Sequence, residues 1–181
     1  MSRLDTAFNL LRLVLVLTFV STGIAIAGAQ TTREEALAQV FPGAEIRAER
    51  VFLTEDQRSA AGAQSGVDVP SLLIARYIAT DDGNLVGTAY VDTHVVRTKN
   101  ESLLISLDPE GQVKRIEVTA FLEPREYMVP EAWLAQYERQ TLNADLNLNR
   151  AIRPIAGATL TARATTAAVR RVLAINSVLD E

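Results

Sequence analysis

Apolar residues recur along this chain in three rhythms, and each predicts a different kind of element. The first is an apolar run from Leu13 to Ala27, with Arg3 and Arg12 near its start. Ala27-Gly28-Ala29 follows it as an A-x-A-like cleavage pattern. The run predicts a cleaved signal peptide. Counted from Leu10, it also allows an uncleaved membrane anchor, since a spanning helix needs ~20 residues. Either way residues 1–29 form an export or anchor segment, and residues 30–181 form one domain outside the cytoplasm, periplasmic or on the outer face of the cytoplasmic membrane.

The second rhythm is helical. Thr31 or Thr32 caps a short helix over Thr32 to Val40, with Glu34 and Glu35 in its first turn and Ala36, Leu37 and Val40 on its apolar side. Phe41-Pro42-Gly43 stops it. Thr54-Glu55-Asp56-Gln57 has the form of a capping box and starts a second helix. Ala61 to Pro70, rich in Gly, Ser and Ala, reads as a loop. Glu131 to Tyr137 is a short helix with Trp133, Leu134 and Tyr137 on one face, and Asn143 to Asn149 is polar and irregular. Val169, Val172, Leu173 and Asn176 then fall at helical spacing on a closing helix.

The third rhythm is alternation. Glu45 to Leu53, Leu72 to Ala79, Leu85 to Val96, Ser102 to Leu107 and Val113 to Phe121 read as strands. Gly87 marks a bend in the third of these. Asp82-Gly83, Thr98-Lys99-Asn100 and Asp108-Pro109-Glu110-Gly111 supply the turns. Strands joined by such short turns predict an antiparallel meander. The fold class is therefore α+β, a meander sheet packed with a few helices behind the N-terminal segment.

Composition narrows the chemistry. The 181 residues suffice for one domain with a real core, and the formal net charge of −4 argues against a nucleic-acid partner. With no Cys, the chain can form no disulfide, cysteine-held iron–sulfur cluster or thioether-linked haem. No Cys and one His leave too few ligands for a Cys/His metal site. There is no Gly-x-Ser-x-Gly elbow, Walker motif or His-Glu-x-x-His helix.

The candidate chemistry lies just before the closing helix, in Arg153-Pro154-Ile155-Ala156-Gly157-Ala158-Thr159-Leu160-Thr161. Thr159 or Thr161 suits its N-cap. The helix start favours negative charge, and Gly157 and Ala158 leave room for a bulky group near the backbone. A second segment, Phe121-Leu122-Glu123-Pro124-Arg125-Glu126-Tyr127-Met128, follows a strand directly. Pro124 and Pro130 bracket its rigid loop. Tyr127 and Met128 suit packing on an aromatic ring system; equally, with Trp133, they suit covering the sheet end. His94, alone on a strand, reads as structural, with a hydrogen bond to a cofactor as its functional alternative. Arg97 and Lys99 read as solvated strand-end charges or as contacts to an anion.

Gly157-Ala158-Thr159-x-Thr161 before a small-residue helix resembles the FMN-binding domain family, which includes the flavin-carrying C and G subunits of sodium-pumping NADH:quinone reductases and Rnf-type complexes. Gly111-Gln112-Val113, Glu123-Pro124 and Gln136-Tyr137 resemble further family segments, so the resemblance spans roughly 72–175. It implies an exported electron carrier. It implies FMN joined through its phosphate to Thr159 by a flavin transferase, and a pocket drawn from Gly157, Ala158, Leu160, Thr161, Glu123, Tyr127 and Met128. It implies a membrane reductase or haem-type redox protein as partner. Ala156 stands where the family has Ser or Thr, and Arg153 where it has Asp. Both favour the alternative reading, a periplasmic interaction or assembly domain of the same fold without flavin.

Overall fold

A computed structural model describes residues 32–180. The expected signal or anchor over residues 1–29 lies outside these. Among the described residues no helix is long and apolar enough to cross a membrane. The elements run α1 (Arg33–Val40), β1 (Glu45–Phe52), α2 (Glu55–Ser65), β2 (Leu73–Asp81), β3 (Asn84–Val95), β4 (Asn100–Leu107) and β5 (Val113–Phe121). A 3-10 turn (Arg125–Tyr127), α3 (Glu131–Leu134), a second 3-10 turn (Ala135–Tyr137) and α4 (Thr159–Asp180) complete the domain.

The five strands form one antiparallel sheet in the order β1-β2-β3-β4-β5, so the meander and the α+β class hold. Alternation divides each strand between two faces. Tyr90, Leu103, Ile105, Leu107, Val113 and Ile116 face α4 and form the main core with Val169, Val172 and Ile175. Burial of each such aliphatic side chain contributes roughly 1.5–3 kcal/mol. Ala79, Ala89 and Leu104 face the other way, onto Ala36, Leu37, Val40 and Phe41 around α1.

Local chemistry sets the helix limits. Thr32 caps α1, and Glu35 returns the bond to the Thr32 N–H. Thr54 and Gln57 do the same for α2. The loop expected from Ala61 is helix as far as Ser65, because Ala61 and Ser65 pack in the interior and the Ser65 hydroxyl donates to the Ala61 carbonyl at 2.7 Å. Gly66, at φ 68°, supplies the left-handed stop. Asn176 lies on the buried side of α4 because its Oδ1 accepts from Tyr90 Oη at 2.8 Å and from Thr88 Oγ1 at 3.3 Å.

The bend expected at Gly87 is real. Ala79 pairs Gly87 but Thr80 pairs Leu85, so β3 carries an extra residue there. A Cβ on Gly87 would lie 2.4 Å from the Leu107 carbonyl oxygen and 2.4 Å from Phe41 Cε1, at a φ of 153°. The backbone oxygen is fixed by the β3–β4 ladder and cannot yield. Gly87→Ala is therefore expected to destabilise the domain by at least about 1–3 kcal/mol. Urea unfolding of the variant checks this; an unchanged midpoint would contradict the packing described.

Candidate functional site

In an antiparallel meander, β1, β3 and β5 finish at the end where β2 and β4 begin. That end carries the β3–β4 hairpin tip (residues 96–99), the loop after β5 and the start of α4. One carboxylate joins the first two. Glu123 Oε1 accepts from the backbone N–H groups of Arg97, Thr98 and Lys99 at 3.2, 2.7 and 2.9 Å, and from Thr98 Oγ1 at 3.3 Å. The Thr98 and Lys99 amides, ahead of the others, hold its carboxyl below the usual carboxylate range. Glu123 thus closes the hairpin turn, a role its position in a loop did not suggest.

Thr161 joins the loop to the helix. Its Oγ1 donates to the Tyr127 carbonyl at 2.5 Å, and the side chain is buried. The 123–128 loop and the Gly157-Ala158-Thr159 turn are therefore neighbours, as expected of two walls of one site. Neither threonine is the N-cap. Thr159 is the first residue of α4, and the first helical bond runs from the Ala162 N–H to the Ala158 carbonyl at 2.9 Å. Ala158 thus takes the cap position, and it does so because its methyl group belongs to the main core. The N–H groups of Thr159, Leu160 and Thr161 precede that first bond, so they have no partner within the helix.

The remaining site residues divide by exposure. Thr159 is exposed, and its hydroxyl donates to the Ile155 carbonyl at 3.3 Å, a long bond that another partner can displace. Leu160 is exposed, and Ala158 is buried. Gly157 has φ 82°, with open space where a Cβ would be. Tyr127 and Met128 are half-buried, and the Arg97 guanidinium covers one face of the Tyr127 ring at 5.0 Å. Trp133 belongs to the core, 5.6 Å edge-on from Tyr137. Its Nε1–H donates to the Arg153 carbonyl at 2.8 Å, while Gln136 Oε1 accepts from the Arg153 N–H at 2.9 Å. The short helix after Pro130 thereby pins the lead-in to the turn.

These residues suit an FMN phosphate at the turn: an exposed hydroxyl, open space over Gly157 and three N–H groups at a helix start. For the ring system they offer the half-buried Tyr127 and Met128 and the exposed Leu160.

Beneath this end lies a buried ion network. His94 Nδ1 meets Asp92 Oδ1 at 2.8 Å and His94 Nε2 meets Glu101 Oε2 at 3.0 Å. Arg171 Nη1 reaches Asp92 Oδ2 at 2.6 Å, and Thr165 Oγ1 reaches Glu101 Oε2 at 3.5 Å. Glu101 is fully buried. His94 is thus structural, bridging two carboxylates and, through them, α4. Asp92, Glu101 and Arg171 were missed from the sequence. The signal was there in Asp92 and His94, two ionisable residues two positions apart and hence on one face of the strand.

Comparison with known proteins finds no matching family model, curated protein or solved structure.

Burial opposes charge on His94, but hydrogen bonds to Asp92 and Glu101 outweigh it and raise its pKa from 6.5 to about 9. Burial likewise opposes ionisation of Asp92, but His94 and Arg171 outweigh it and lower its pKa. The histidine's pKa is higher folded than unfolded. Its contribution, on the order of 3 kcal/mol, is fully present below pH 6.5 and is lost as pH rises towards about 9. Urea unfolding across that window should show stability falling in the wild type, and much less pH dependence in His94→Gln at a lower starting stability. A wild type equally stable at both ends of the window would contradict the network.

Proposed function

We propose that the domain is an exported FMN-binding electron carrier whose flavin is esterified through its phosphate to Thr159. The observation that carries this reading is the contact between Thr161 and Tyr127, which brings the Thr159 turn and the 123–128 loop together at one end of the sheet. An exposed hydroxyl on an open glycine turn is accessible to a transferase. In the ester, Thr159 Oγ1 bonds to phosphorus, its proton is lost and the flavin donor's other group leaves. The phosphodiester's negative charge is then favoured by the α4 dipole, by roughly 0.3–1 kcal/mol, besides direct N–H bonds. The chain's own residues attach, orient and shield; bound FMN supplies the redox chemistry. A covalent link prevents cofactor loss outside the cytoplasm. The redox partner on this reading is a membrane reductase or a haem-type protein.

A second reading, an interaction or assembly domain without flavin, draws on different observations. Glu123 is engaged by the hairpin and Thr161 by Tyr127, so two of the expected site residues already serve the fold. Ala156 and Arg153 also depart from the family pattern.

Variants separate the two readings when the protein is made with a flavin transferase. Thr159→Ala should yield a colourless protein, or one whose flavin is released on denaturation. Thr161→Ala should keep the covalent flavin and lose about 1 kcal/mol of stability with the Tyr127 bond. Mass spectrometry of the peptide containing Pro154 to Arg163 locates the adduct. Flavin found on Thr161, or covalent flavin retained in Thr159→Ala, would place the attachment elsewhere.

A further inference from the structure

Large hydrophobic side chains that stay exposed are unevenly placed on this domain. Phe52 and Leu73 pair across β1 and β2, and Phe52 is 72% exposed. Val95 pairs Asn100 beside the hairpin tip. Leu122, 58% exposed, follows β5 and donates its N–H to the Asn100 carbonyl. Leu160 opens α4. All five lie at the end where β1, β3 and β5 finish. The remaining large exposed hydrophobic residue among those described, Leu85, lies at the opposite end, paired with Thr80.

Charge is uneven in the same sense. The hairpin tip, the loop and the start of α4 carry Arg97, Lys99, Arg125 and Arg163 against Glu123 and Glu126, in a chain of net charge −4. The Glu123 carboxylate is turned onto the hairpin amides. Acidic groups near the patch include Glu55 and Asp56 at the start of α2, where Glu55 is paired with Arg58, and Asp68 before Leu73.

The path of the chain adds a third observation. α1 begins with Arg33 bonded to Tyr77 Oη at 2.9 Å in mid-strand, and ends with Phe41 against Gly87 near the far end. The apolar run Leu13 to Ala27 stops only five residues before Thr32.

We propose that this end of the domain is a docking face for an anionic lipid surface. Exposed aliphatic and aromatic side chains beside Arg and Lys are the chemistry of interfacial binding, in which apolar groups enter the headgroup boundary and cations meet lipid phosphates. An acidic protein surface would also match the cations, but an apolar run kept as an anchor, stopping five residues before Thr32, holds the domain within about 18 Å of a lipid surface. The docking face includes the Thr159 turn, so a group carried there lies at the membrane surface. The inference does not depend on flavin, and a colourless protein docks equally.

The absence of cysteine allows single-site labels. The full chain, with Leu122→Cys or Leu85→Cys carrying an environment-sensitive fluorophore, is reconstituted in phosphatidylcholine vesicles containing about one-third phosphatidylglycerol and a quencher-bearing lipid. The label at position 122 is expected to lose roughly half of its emission and the label at 85 to keep most of its own. High salt, omission of phosphatidylglycerol, or the charge reversals Arg97→Glu and Lys99→Glu should restore emission at 122. Circular dichroism of each variant confirms that it is folded. Equal quenching at both positions, or none at 122, overturns the proposal. So does quenching at 122 that is indifferent to salt and to phosphatidylglycerol.

Discussion

A buried network between β3, β4 and α4 sets the conditions for everything at the candidate end of the domain. Asp92 meets both His94 and Arg171, and His94 reaches on to Glu101, whose Oε1 is buried without a hydrogen-bond partner. Removing Asp92 would leave Arg171 without its carboxylate partner in the interior, a loss that typically costs about 3–5 kcal/mol. Such a network contributes less to net stability than to position. Hydrophobic contacts tolerate sliding, whereas hydrogen bonds between 2.6 and 3.0 Å do not. The network fixes α4 against the hairpin. Glu123 then fixes the loop to the hairpin tip, and Thr161 fixes the loop to the helix.

This chain of positioning gives the Thr159 turn its character. Ala158 is held in the core, Gly157 turns the backbone at positive φ, and Thr159 emerges on the surface at a helix start. The hydroxyl is placed by its buried neighbours and is itself only loosely held. That suits a group meant to be modified after folding better than one meant to stabilise the fold.

Most of the fold was legible because the relevant signals are local. Thr32 with Glu35 and Thr54 with Gln57 announce two helices within four residues each. Asp82-Gly83 and Asp108 to Gly111 announce turns, and alternation assigns the sheet faces. The errors arose where a tertiary contact overruled local preference. Ala61 to Ser65 is helical because its small side chains fit against the interior, despite a loop-like composition. Neither Thr159 nor Thr161 caps α4, because Ala158 is wanted in the core and Thr161 is drawn to Tyr127. At the site, the neighbourhood of the loop and the turn was foreseen, but not the task of Glu123. Its partners lie 24 to 26 residues away, on a turn that the local pattern located without showing which distant side chain closes it.

The proposed flavin attachment gathers these features into one function, and it has a single direct test. The mass of the intact protein, produced in cells that supply a flavin transferase, reports attachment without assuming its position. The account predicts a mass equal to that of the polypeptide plus one FMN less one water, retained through denaturation. A mass equal to that of the polypeptide alone, from cells in which the transferase modifies another acceptor, would contradict it.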